Sequence, residues 1–223
     1  MPRSPRIDLP NYYYHVINRA NARMQIFDTN KDYQIFESLL EEAQALTDMF
    51  IIAYCVMPNH WHFVLSPKQA GDIAIFMKWL TGTHTRKWHV AHKSIGSGHI
   101  YQGRYKSFLI QEDKHLLQVI RYVERNSLKA KLVKKSEDWK WSSVWRREKG
   151  TKNNKELLAK WPIHMPHDYL DWLNDKKEDE KIQKNIKESM TKGKPYGNDG
   201  WVMKAIENFG LQSTVRGSGR PKN

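Results

Sequence analysis

The hydrophobic pattern along the first 130 residues alternates between two periods. Crowded or alternating apolar residues predict β-strands, and apolar residues recurring every three or four positions predict helices. The predicted strands are 11–18, 49–56, 60–65 and 104–110, and the predicted helices are 31–47, 70–91 and 113–126. The turn at Met57-Pro58-Asn59 makes the second and third strands a hairpin. This order predicts an α+β fold, a ferredoxin-like sandwich with helices on a central antiparallel sheet.

The pattern changes after residue 150. A polar stretch at 152–155 and two prolines, Pro162 and Pro166, interrupt it before two charged segments with helical spacing, 168–191 and 198–209. We therefore predict a domain at residues 1–150 and a helical C-terminal extension at residues 151–223. Its last residues are basic, and we expect them to form a flexible tail.

The charge of the chain is strongly positive and unevenly placed. The 223 residues carry 37 Lys and Arg against 24 Asp and Glu, a net charge of +13. Residues 84–149 hold 16 of these basic and 6 of the acidic residues, a net of +10, interleaved with aromatics. Basic side chains neutralise phosphates and aromatic faces stack on unpaired bases, so this composition favours nucleic acid over a membrane surface. A solvated basic surface over an aromatic core explains the composition equally well.

The cysteine count and the hydropathy restrict the compartment. One cysteine excludes a disulfide framework and a cysteine-rich zinc site, and it fits a reducing environment. No stretch approaches the ~20 apolar residues of a membrane span, and the N-terminus lacks the apolar centre of a signal peptide. We therefore expect a cytoplasmic protein that does not engage membranes.

The first chemical candidate is His60-Trp61-His62. Alternate residues of a strand point to the same side, so the two imidazoles share one face and could chelate one divalent ion. A histidine pair at this spacing is, on its own, more often a packing feature.

The second candidate lies on the helix at 113–126. Tyr122 and Asn126 are four residues apart and therefore share a helix face. A tyrosine hydroxyl can act as a nucleophile, and an amide oxygen can bind a hard metal ion. In the alternative interpretation, Tyr122 is a boundary residue of an amphipathic helix and Asn126 is its C-terminal cap.

Beyond these residues, longer motifs resemble a known family. Residues 54–65 read YCVMPNHWHFVL, which is similar to the histidine–hydrophobic–histidine motif of HUH endonucleases. Residues 121–126 read RYVERN, which resembles the helix that carries their single catalytic tyrosine. Within that superfamily the chain most resembles the REP-associated tyrosine transposases. The further matching motifs are Tyr14-His15-Val16, YQGRYKSF at 101–108, DWKWSS at 138–143 and GRPK at 219–222.

The resemblance implies a metal-dependent endonuclease that cleaves and rejoins single-stranded, hairpin-forming REP DNA through a 5′-phosphotyrosine. It makes Tyr122 the nucleophile and His60, His62 and Asn126 the ligands of Mg²⁺ or Mn²⁺. One departure is Ser127, where family members have proline after the asparagine, so the helix could continue and shift Asn126.

The resemblance also implies the partners. The basic residues expected to contact phosphates are Arg104, Lys106, Arg121, Arg125, Lys129 and Lys131. The expected partner is single-stranded DNA with a hairpin. The protein is expected in the bacterial cytoplasm, associated with the nucleoid while it is bound to DNA. The long extension favours a monomer, with a dimer as the alternative.

Two other functions compete with this interpretation. One is a non-catalytic regulator that binds hairpins or single strands, and the retained His60, His62, Tyr122 and Asn126 argue against it. The other is a metal hydrolase of small molecules, which the basic, aromatic-rich middle of the chain and the lack of a well-spaced carboxylate disfavour.

Overall fold

A computed structural model of the chain describes residues 6–177 and 179–215. The strands are β1 (Tyr13–Arg19), β2 (Phe50–Met57), β3 (His60–Ser66) and β4 (Lys106–Ile110). The helices are α1 (Asn30–Thr47), α2 (Asp72–Ala91), α3 (Lys114–Glu124), α4 (Asn126–Lys129), α5 (Ser143–Lys149), α6 (Lys152–Glu156), α7 (Tyr169–Asn174), α8 (Glu180–Lys192) and α9 (Asp199–Asn208). The predicted strands and the three long helices before residue 130 are confirmed, with ends that differ by one or two residues.

The four strands form one antiparallel sheet in the order β2-β3-β1-β4. With the helices α1 and α2 after β1 and β3, this is the βαββαβ arrangement of a ferredoxin-like sandwich, so the predicted α+β class is confirmed. Alternation along the strands divides the core between the two faces of the sheet. Trp61 and Phe63 pack with α1 and α2 on one face, and Val64 and Phe108 pack with α3 on the other.

Helix α3 is fixed on its face of the sheet by its amphipathic pattern. Its N-cap Asp113 accepts a hydrogen bond from the backbone of His115. Its apolar stripe is fully buried and consists of Leu116, Val119, Ile120 and Val123. Burying each such side chain stabilises the fold by roughly 1.5–3 kcal/mol, enough to fix the rotation of the helix and hence the position of the neighbouring polar stripe.

Part of the segment after residue 150 packs against the face of the sheet that α3 covers. The prediction of one helix at 168–191 is wrong: α7 ends at Asn174, because Asp175 turns to an extended conformation, and α8 begins at Glu180. Apolar side chains from this segment join the core on the α3 face: Tyr169, Leu173, Ile186 and Tyr196. The domain boundary at residue 150 stays a prediction, and the predicted flexible tail at 216–223 lies outside the described residues. In the described residues, no helix is long and apolar enough to cross a membrane.

Candidate active site

The histidine pair lies at one end of β3, on the face of the sheet that α3 covers. The register places Arg19 of β1 opposite His60, and Ile17 opposite His62. Lys106 of β4 pairs with Ile17 from the other side. Directly opposed residues share a face of the sheet, so the cationic side chains of Arg19 and Lys106 belong to the same face as the two imidazoles.

Tyr122 of α3 lies against this pair, although more than fifty residues separate them in the chain. Its ring is edge-on to that of His62, with centroids 5.8 Å apart, and the rings of His60 and His62 lie 5.1 Å apart. Tyr122 is nearly buried, at 9% exposure. The histidine pair and Tyr122, two separate candidates in the sequence, therefore lie in one cluster in the structure.

The protonated nitrogen of His60 is fixed by a neighbouring amide. Its Nδ1 lies 2.6 Å from Asn59 Oδ1. The Asn59 amide nitrogen donates to the backbone carbonyl of Arg23, which orients Oδ1 toward the ring. An amide oxygen only accepts, so Nδ1 carries the proton and Nε2 keeps its lone pair.

His62 is paired with a second buried histidine. Its Nδ1 lies 2.9 Å from Nε2 of His15 on β1, a fully buried residue. Burial lowers the pKa of His15 to about 3, and burial together with the charge of Arg19 lowers the pKa of His60 to about 4. Burial, with His60, His15 and Arg19 nearby, also holds the pKa of His62 well below its usual value. All three rings are therefore neutral at neutral pH, the form in which an imidazole can bind a metal.

Asn126 follows Tyr122 by one turn. Its side-chain nitrogen donates to the carbonyls of Tyr122 and Val123, at 2.8 and 3.3 Å, so Oδ1 is the atom left for another partner. Asn126 thus caps α3, as one interpretation of the sequence expected, without using its oxygen. As the Ser127 departure suggested, the chain continues as a helix, α4, after a break at Arg125.

The residues present fit a divalent ion. In His60 and His62 the Nδ1 atom already has a partner, so Nε2 is the nitrogen that can bind a metal ion. In Asn126 the amide nitrogen has a partner, so the amide oxygen can bind the ion. Helix α4, which begins at Asn126, contacts β2, and Cys55 of β2 pairs with His62 of β3. The Asn126 turn therefore lies close to the strand beside the histidines. Among the described residues no three His, Cys, Asp or Glu side chains form a metal-binding group, so an amide ligand would have to complete the site.

The predicted DNA-binding residues fall into two groups. Arg104 and Lys106 are exposed and, together with Arg19, line a cleft of about 400 Å³ that Met190 and Thr191 of α8 also line. Lys131 is also exposed, and it adopts a positive φ of 59° after α4.

The other group contacts the C-terminal extension. The Arg121 guanidinium donates to the carbonyl of Trp172 and stacks on its ring at 4.5 Å. Arg125 is buried and donates to the carbonyl of Leu173, while Lys129 reaches Gln183 of α8. The arginines therefore bind the C-terminal carbonyls of α7, and the role of all three toward phosphates stays a prediction.

Two residues of the cluster were missed by the sequence reasoning: His15 and Arg19. His15 was noted only as part of a matching motif, and Arg19, which follows the predicted strand 11–18, was not singled out. The signal was available in the strand period, since positions 15, 17 and 19 alternate onto one face. Which face that is depends on how β1 pairs with β3, and the strand period alone leaves this open.

The antiparallel sheet thus carries a histidine pair on a central strand, and the helix that covers this face places a tyrosine beside the pair. The sequence model described as "Transposase IS200 like" matches residues 8–126, more than half of the chain. The chain belongs to the IS200-like transposase family.

Two individual proteins refine the comparison. A Haemophilus influenzae protein provisionally named a REP-associated tyrosine transposase is 27% identical over 143 residues, which span 60% of this chain and 80% of that protein. The solved structure of a REP-associated tyrosine transposase bound to a REP hairpin superposes with a TM-score of 0.54 at 20% identity. The match covers 80% of this chain and 99% of the other. The first supports the resemblance to REP-associated transposases, and the second supports the fold.

Proposed function

We propose that the protein cleaves and rejoins single-stranded, hairpin-forming DNA of the REP type, with Tyr122 as the nucleophile. The observation that carries the proposal is the contact of the Tyr122 ring with His62, 5.8 Å between centroids, because it joins a nucleophile to two neutral imidazoles. Family membership and the REP hairpin bound to a similar fold support the choice of substrate.

The proposed metal ligands and the nucleophile have separate parts in the reaction. His60 and His62 through Nε2, and Asn126 through Oδ1, would hold Mg²⁺ or Mn²⁺, which when bound polarises the phosphodiester and neutralises charge on the leaving oxygen. Tyr122 Oη forms a bond to phosphorus as the bond from phosphorus to the 3′ oxygen breaks. The phenol proton leaves to solvent, the 3′ oxygen gains a proton, and the products are a 5′-phosphotyrosine and a 3′-hydroxyl.

The covalent bond between Tyr122 and the 5′ phosphate conserves the energy of the broken phosphodiester. A second 3′-hydroxyl can attack the phosphotyrosine, release Tyr122 and rejoin the strand without ATP. Arg19, Arg104 and Lys106 would bind phosphates of the strand in the cleft beside the histidines, since positioning and charge dominate phosphoryl transfer.

The test is a covalent adduct on a denaturing gel. A hairpin strand labelled at its 3′ end and incubated with Mn²⁺ should leave its label on the protein, whereas a 5′ label should be released. EDTA and Tyr122→Phe should abolish the adduct. Tyr12→Phe is the matched control, because Tyr12 lies outside the site, where its ring packs edge-on against Phe209.

Two results would contradict the proposal. An adduct that survives Tyr122→Phe would show that another residue is the nucleophile. Tight hairpin binding without any adduct would favour the non-catalytic regulator. His60→Ala should remove cleavage and keep most of the hairpin affinity, because phosphate contacts supply that affinity.

A further inference from the structure

His15 is a buried polar residue to which the proposed reaction assigns no part. It is fully buried in the central strand β1, between the ring of Phe108 at 4.9 Å and the edge of Tyr122 at 6.3 Å. Its Nε2 is paired with His62, but its Nδ1 has no hydrogen-bond partner within residues 6–177 and 179–215. Leaving a buried polar atom unpaired costs about 1–3 kcal/mol, so this arrangement requires an explanation.

The two ligand histidines have matching environments. The Nδ1 of each is turned into the protein, toward Asn59 Oδ1 for His60 and toward His15 Nε2 for His62. For His60 the partner can only accept, so the lone pair is at Nε2. For His62 the partner is another imidazole, and two proton arrangements satisfy the same 2.9 Å contact.

Only one arrangement allows His62 to bind a metal through Nε2. If His15 donates from Nε2, the proton of His62 is at its own Nε2 and blocks that position. If His62 donates from Nδ1, its Nε2 is open, and His15 carries its proton on the unpaired Nδ1. Metal-bound histidines commonly donate their second nitrogen to a buried partner that fixes the tautomer.

We propose that His15 is a positioning residue that accepts the Nδ1 proton of His62 and thereby presents Nε2 of His62 to the divalent ion. The inference rests on the metal site of the proposed function. His15 also packs against Tyr122, so one side chain supports both the ligand and the nucleophile. In this arrangement Nε2 of His15 accepts, so the proton of neutral His15 lies on Nδ1, the buried atom for which the described residues provide no partner.

Metal affinity provides a readout that does not require cleavage. Mn²⁺ binding, measured by titration calorimetry, should weaken about 10–100-fold in His15→Leu. His15→Gln, which retains an acceptor, should recover part of the loss. His84→Leu is the matched control, because His84 is equally buried but bonds Tyr101 on the opposite face of the sheet; it should leave the Mn²⁺ affinity unchanged.

A second measurement observes the proton directly. In ¹⁵N-histidine-labelled wild-type protein loaded with Zn²⁺ as a diamagnetic probe, the spectra should show protons on Nδ1 of both His62 and His15. They should also show a coupling from His62 Nδ1 to His15 Nε2. Coordination through Nδ1 of His62, or wild-type affinity in His15→Leu, would overturn the inference, as would a wild-type protein that binds neither metal. A normal metal result without any DNA adduct would refute the nuclease and leave the role of His15 standing.

Discussion

Glu124 presents the sharpest stability test, because a carboxylate in the tyrosine helix is buried completely. One oxygen accepts from Ser143 and from Arg147, and the other accepts from the hydroxyl of Tyr169 at 2.8 Å. The Arg147 side chain is only 18% exposed. The group thus joins α3 to α5 and to α7.

The change Glu124→Gln preserves the size of the side chain and removes its charge. Breaking a buried ion pair leaves the partner charge uncompensated, which costs about 3–5 kcal/mol. For a chain of this size the melting temperature should fall by roughly 10 °C. The free energy of unfolding should be measured by urea denaturation, with Glu148→Gln as the control, because Glu148 is exposed on α5.

A double variant separates the mechanism from a general packing loss. In Glu124→Gln with Arg147→Met, the guanidinium that has lost its counter-charge is also removed, so the double variant should be less destabilised than Glu124→Gln alone. If Glu124→Gln costs less than about 1 kcal/mol, or if the two losses add, the buried charge pair does not hold the tyrosine helix and the reasoning fails.

Three further predictions follow from single contacts. Burial lowers the pKa of His84 from 6.5 to about 3. Its contribution to the free energy of unfolding is therefore complete above pH ~6.5. That contribution is lost as the pH falls toward 3, because the unfolded chain binds a proton that the folded chain does not. In His84→Phe the dependence of unfolding free energy on pH, from urea melts at pH 4 to 6, should be shallower by about 1.4 kcal/mol per pH unit; equal slopes would contradict this. Arg121→Ala removes the donor to the carbonyl of Trp172, so hydrogen exchange in α7 should speed up while β1 stays protected. Lys106→Ala should weaken hairpin binding and reduce its salt slope by about one, whereas the exposed Lys204→Ala on α9 should change neither.

The parts of the molecule that follow local periodicity could be predicted from the sequence. The β2–β3 hairpin and the position of Tyr122 beside the apolar stripe of α3 both depend on neighbours within a few residues. The pairing of His15 with His62 could not be predicted in this way. It depends on the register of β1 against β3, which is set by the whole sheet across 47 residues of sequence.

The polar stripe of α3 shows a different limit. Arg121 and Arg125 have the spacing of a solvent-facing stripe, and the basic composition suggests phosphate contacts. In the structure the C-terminal extension covers this stripe, and its unpaired helix carbonyls are the acceptors that the guanidiniums bind. The carbonyls at the end of α7 bind arginines that lie about fifty residues earlier in the chain, and such a contact produces no periodic pattern in either segment.

Contacts of charged side chains connect the C-terminal extension to α3, the helix that carries Tyr122. Composition separates the chain near residue 150, yet the carboxylate of Glu124 bonds Tyr169, and Arg121 and Arg125 bond the end of α7. Ending the chain before α7 would remove partners from three charged side chains on the helix that carries Tyr122. Because each of these partners accompanies a buried or half-buried charge, α3 and the extension should lose their structure together. The placement of the nucleophile against His62 therefore depends on both the sheet beneath α3 and the extension above it.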